Sequence, residues 1–93
     1  MTAVEQLEAR YIMNTYNRQE DCTLFLVKGE GCRVWDNKGK DYLDFVGGLA
    51  VNLLGHCHPD VVAAICSQAG ELIHASNLYY TRPQAELARI LVE

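Results

Sequence analysis

The apolar positions of this chain change period twice. In TAVEQLEARYIMN, Val4, Leu7, Tyr11 and Ile12 recur at helical spacing, and Thr2 followed three residues later by Glu5 is the pattern of a capping box, so a helix is expected over 2–14. From Thr23 the texture shortens. TLFLVK, CRVWD and DYLDFV are apolar, β-branched and aromatic runs separated by GEG and NKGK, which predicts a three-stranded antiparallel meander over 23–46. Val34 and Trp35 are expected across from Tyr42 and Leu43, a pairing that stabilises a ladder by up to about 1 kcal/mol.

The run GGLAVNLLG, residues 47–55, is apolar but broken by glycines. A pair such as Gly47-Gly48 signals either close backbone approach or a β-bulge. The helical period returns at Pro59, which suits a first helical turn. Asp60 complements the positive end of the helix dipole, and Val62, Ile65, Cys66, Ala69, Leu72 and Ile73 form one stripe, predicting a helix over 59–73. A polar loop, 74–82, comes next. Pro83 opens a last helix, 83–93, with Leu87, Ala88 and Leu91 on one face, and it reaches Glu93 with no capping signal, as a longer helix that had been cut would. The pattern as a whole is an α+β fragment: helix, meander, then two helices.

Length and composition narrow the possibilities further. At 93 residues the chain is at most one small domain with a small core. Acidic residues outnumber basic ones by 12 to 8, giving a net charge of −4, and Lys and Arg do not cluster. No footprint for nucleic acid or anionic lipid results, and neither partner is expected. Charges at Glu5, Glu8 and Arg10 interrupt the N-terminus where a signal peptide would be apolar, so a cytoplasmic location is expected. Cys22, Cys32, Cys57 and Cys66 are too sparse for a disulfide framework and are expected to be reduced and mostly buried.

The adjacent residues His56, Cys57 and His58 raise the question of a metal or a nucleophile. Structural zinc sites draw two ligands from one turn and two from elsewhere, and that second pair is missing. A nucleophilic Cys57 lacks an orienting third group. The plainer reading is a turn in which an imidazole satisfies backbone amides at a helix start.

Two long blocks carry a resemblance: KGEGCRVWDNKGKDYLDFVGGLAVNLLGHCHPDVV and ELIHASNLYYTRPQAELARILVE. In order and spacing they resemble the N-terminal portion of the class III aminotransferases, pyridoxal-phosphate enzymes of fold type I, from about Tyr11 to Glu93. The passage QEDCTLFLV departs from the family's usual shorter one. The resemblance implies that Gly47, Gly48 and Leu49 line the substrate pocket. It also implies that the loop carrying Asn77 and Tyr79 lies at the interface of a homodimer, near the partner's cofactor. The position matching Leu49 is tyrosine in the ornithine enzymes and aliphatic in the acetylornithine and GABA enzymes, so the resemblance points to amino transfer between N-acetylornithine and 2-oxoglutarate, in arginine biosynthesis.

Such chemistry needs a lysine that binds the cofactor covalently, an acid facing the pyridine nitrogen and a phosphate loop. The family supplies all three from its large domain. Lys28, Lys38 and Lys40 are expected in or beside exposed turns, at structural positions only. No catalytic residue is therefore expected here, and the chain alone is expected to be inactive and not to hold pyridoxal phosphate. Two other readings use the same residues: a free-standing interaction module built on the amphipathic helices, and a thiol or metal module built on Cys57.

Overall fold

A computed structural model describes residues 2–19 and 23–93. The chain divides into two compact units, the first ending at His58 and the second spanning Pro59–Glu93. Helix α1 (Ala3–Tyr11) opens the first unit, with both bonds of the capping box in place. The Thr2 hydroxyl accepts from the Glu5 amide at 3.2 Å, and the Glu5 carboxylate accepts from the Thr2 amide. The helix stops short of Asn14, at an extended Ile12. There the Asn14 side chain bonds both the amide (2.6 Å) and the carbonyl (3.1 Å) of Arg18, a local alternative that competes with continued helix.

Three antiparallel strands come after it, β1 (Leu26–Glu30), β2 (Arg33–Asp36) and β3 (Asp41–Leu43), in the order β1-β2-β3. Strand β1 begins later than TLFLVK suggests and runs on through Gly29 and Glu30, because the connection to β2 is only Gly31-Cys32; Gly31 has φ +57°, which suits a glycine there. Val34 does face Tyr42. Trp35, however, stands opposite Asp41, and Leu43 opposite Arg33, since residue numbers must run in opposite directions across an antiparallel pair. Trp35 instead receives the ammonium of Lys28, directly across on β1 and 4.7 Å from the ring centroid, so Lys28 belongs to a strand and not to a turn.

The β2–β3 turn is built by Asp36, which accepts from the amides of Lys38 and Lys40 and from the Tyr42 hydroxyl, each at 2.9 Å. Burial opposes ionisation of Asp36. The three donors outweigh it and hold the carboxyl below its ordinary value. Central strand β2 carries Val34, the one apolar side chain among the described residues that is buried. Cys32, Cys57 and Cys66 are free and exposed rather than buried, and Cys22 lies outside the described residues.

The second unit holds α3 (Pro59–Glu71) and α4 (Arg82–Val92). Neither helix buries a residue, and the stripe through Val62, Ile65 and Leu72 is open to solvent. Among the described residues no helix is long and apolar enough to cross a membrane.

Candidate functional site

Strand β3 ends three residues short of the expected meander, because Asp44 turns the chain. Its amide donates to the Cys32 carbonyl at 2.8 Å, while one carboxylate oxygen accepts from the amides of Val46 (2.9 Å) and Gly47 (3.0 Å). The segment beyond Val46 is neither a bulge nor a strand. Residues Gly47–Ala50 form a single left-handed turn, α2, with φ of +58°, +65°, +78° and +62°. It is closed by amides donated from Ala50 to the Val46 carbonyl (2.8 Å) and from Val51 and Asn52 to the Gly47 carbonyl (3.0 Å each).

Glycine takes this hand freely. Leu49 and Ala50 do not: left-handed backbone costs an L-residue roughly 1–2 kcal/mol. Such cost persists only where the surroundings hold the chain in place, and it concentrates where a protein presents groups to a ligand. Leu49 is 68% exposed on this turn, and Phe45 beside it 94%.

The clamp that holds the turn is His56. Its Nε2 lies 2.5 Å from the second carboxylate oxygen of Asp44, and its Nδ1 is 3.5 Å from the side-chain amide of Asn52. A ring protonated at Nε2 donates to Asp44 and leaves Nδ1 to accept from Asn52. The backbone of His56 also bridges to Gly31 in both directions, at 2.8 and 3.0 Å. Glycines make the approach possible. A Cβ on Gly29 would lie 2.7 Å from the imidazole, and one on Gly55, itself at φ +83°, would lie 2.9 Å from the Gly31 carbonyl oxygen. The expected role of an imidazole as a cap for helix amides is thus corrected for His56: both ring nitrogens face side chains of the preceding loop.

Asp44 is held far below its ordinary value of 3.8, at about 2, first by the Gly47 amide, then by His56 and the Val46 amide. A carboxyl with a depressed folded value stabilises its surroundings above the unfolded value and loses that contribution as pH falls through the folded one. The turn is therefore expected to loosen between pH 3.8 and about 2. Amide and imidazole NMR shifts at Gly47 and His56 should move together with a midpoint near 2; a midpoint near 3.8 would show that the bonds to Asp44 do not form.

The remaining candidates lie in the second unit. Asn77 lines a shallow concavity of about 260 Å³ together with Leu72, Ser76, Thr81 and Pro83. Tyr79 is exposed, its amide donating to the Ser76 carbonyl at 3.4 Å, and Ser76 has a φ of +71°. Sequence reasoning missed Asp44, Asn52 and Gly29. An aspartate two and three residues before candidate turn amides was the available signal for the first of them.

Comparison with known proteins places the chain in a family. Residues 15–93 match the family model described as aminotransferase class-III, and the chain belongs to that family. Its relatives narrow this further. It is 59% identical over 86 residues to the acetylornithine aminotransferase of Caldanaerobacter subterraneus subsp. tengcongensis, covering 92% of this chain and 21% of that protein. It is 57% identical over 88 residues to that of Methanopyrus kandleri, covering 95% and 22%. Among solved structures it resembles N-acetylornithine aminotransferase from Stenotrophomonas maltophilia K279a (TM-score 0.76, 40% identity, 94% of this chain and 21% of that one). It also resembles a taurine:2-oxoglutarate aminotransferase from Bifidobacterium kashiwanohense in complex with PLP and glutamate (TM-score 0.86, 32% identity, 96% and 20%). The chain spans about a fifth of the length of these relatives.

The family implies pyridoxal phosphate, and the lysines among the described residues are engaged or exposed rather than set in a concavity that would hold it. Lys28 and Lys40 lie over the rings of Trp35 and Tyr42, at 4.7 and 5.1 Å, and Lys38 stands in the exposed β2–β3 turn. Neither the concavity beside Asn77 nor a larger one of about 500 Å³ between α1 and residues 23–26 includes a lysine.

Proposed function

We propose that this chain is the N-terminal segment of an aminotransferase that moves the amino group of N-acetylornithine to 2-oxoglutarate, in the cytoplasm and as a step of arginine biosynthesis. The observation that carries the reading is Leu49, an exposed aliphatic side chain on a strained turn, in a chain more than half identical to acetylornithine aminotransferases. Gly47, Gly48 and Leu49 form one wall of the substrate pocket. An aliphatic wall accepts the acetyl group of the substrate and offers no partner to the free ammonium of unacetylated ornithine, which would have to shed water to approach it.

Pyridoxal phosphate, held by residues outside this chain, supplies the electron sink for amino transfer. The loop with Asn77 and Tyr79 meets a second copy of the enzyme, and the open stripes of α3 and α4 are covered by the rest of the protein and by that copy. Burying each leucine- or isoleucine-sized side chain there contributes about 1.5–3 kcal/mol.

The test is a substrate panel on the purified intact protein that carries this segment. N-acetylornithine with 2-oxoglutarate should give a kcat/KM at least about tenfold above that for ornithine or 4-aminobutyrate, the scale on which one pocket group discriminates. Activity confined to another amino donor would overturn the assignment.

A further inference from the structure

Loss of a single imidazole would release the turn from two side chains, Asp44 and Asn52. His56 holds Asp44, which starts the turn, and faces Asn52, which closes it. Its backbone fastens the segment to Gly31, between β1 and β2. The ring itself rests against Gly29, where no Cβ fits. The two ring nitrogens thereby face side chains of the same loop, Nε2 that of Asp44 and Nδ1 that of Asn52.

Asp44 divides its work between its two oxygens. One takes the amides of Val46 and Gly47, and the other takes His56. Leu49 sits two residues beyond Gly47, on backbone that an L-residue does not adopt unaided. Any slackening of the clamp lets positions 49 and 50 relax toward the right-handed hand, and that movement carries the Leu49 side chain with it.

We propose that His56, acting through Asp44 and Asn52, is a positioning residue for substrate specificity: it fixes the hand of the Gly47–Ala50 turn and so the place at which Leu49 meets the amino-acid substrate. This rests on the reading of Leu49 as a pocket residue. His56 touches neither substrate nor cofactor, and its removal acts on discrimination more than on the capacity to transfer an amino group.

The test uses the intact enzyme with two variants, His56→Ala and Asp44→Asn. The amide side chain of Asp44→Asn would keep an oxygen for the Val46 and Gly47 amides while placing an NH2 against Nε2, so the fold has every reason to survive it. The readout is the ratio of kcat/KM for N-acetylornithine to that for ornithine, which is independent of the fraction of enzyme that folds. Both variants should lower that ratio by about tenfold, the cost of a small misplacement in a pocket. Amide exchange in the same proteins should quicken over residues 44–54 while β1 and β2 stay protected.

A ratio unchanged in folded Asp44→Asn overturns the proposal, whether or not His56→Ala folds. Exchange that quickens equally through β1 and β2 overturns it too, by making the clamp a general structural support. A wild-type enzyme inactive on N-acetylornithine would instead defeat the functional reading beneath it, and the two failures are told apart by the wild-type assay alone.

Discussion

Gly55→Ala in the intact enzyme should raise the amide exchange rates of Gly31 and His56 by about 30- to 150-fold, the equivalent of about 2–3 kcal/mol of local stability. Two costs add. Alanine at φ +83° carries a left-handed penalty of roughly 1–2 kcal/mol, and its Cβ would sit 2.9 Å from the Gly31 carbonyl oxygen, a distance that forces the backbones apart. The separation weakens the two hydrogen bonds of the Gly31–His56 bridge, each with a net value of about 1 kcal/mol. Stiffening of the unfolded chain returns only about 0.4–1 kcal/mol. Gly70 supplies the control: it lies in α3 with open space around it, so alanine there should be neutral or stabilising by up to about 1 kcal/mol. Equal exchange in the Gly55 variant and the wild type would mean that the bridge does not hold the loop.

With Leu49 in the pocket as proposed above, Leu49→Tyr in the intact protein should shift preference toward unacetylated ornithine, changing the ratio of kcat/KM for the two donors by about tenfold or more. The phenol adds a hydroxyl that can accept from a free ammonium, and its bulk crowds the acetyl group. Both effects point the same way. Leu49 already tolerates φ +78° without a β-branch, and tyrosine is no more branched at Cβ, so the substitution should alter what the turn presents and leave its shape alone. An unchanged ratio would show that position 49 does not face the ligand.

The parts of this fold legible in the sequence are those fixed by neighbours. Thr2 and Glu5 are three residues apart and cap one helix; the strand runs and the Gly31 and Asn37–Gly39 turns announce a meander; Pro59 and Pro83 mark helix starts. Register was only half legible. Val34 and Tyr42 could be paired by their shared burial tendency, but the partner of Trp35 is set by the length of the turn, and that length brings Asp41 across from it.

The turn at Gly47–Ala50 was not legible for a different reason. Two glycines admit a bulge, a close approach or a left-handed turn equally well, and only the fastening of both ends chooses among them. One end is held by Asp44, and its bond to His56 spans 12 residues that no local period connects. The run His56-Cys57-His58 suggests a ligand set because its members are adjacent, whereas His56 is committed to a carboxylate far behind it in the chain.

The bridge between Gly31 and His56 also sets a timetable for synthesis. At about 5–20 residues per second, His56 leaves the ribosome roughly one to five seconds after Gly31, whereas a hairpin such as β1–β2 forms in about 1–10 μs. The β1–β2 pairing, and with it the Gly29 slot, therefore has time to form many times over before the imidazole arrives to fasten it. Every group that bonds Asp44 has emerged once His56 has, all within the first compact unit. The shape of the turn that carries Leu49 can thus be settled while the nascent chain is still being extended beyond it.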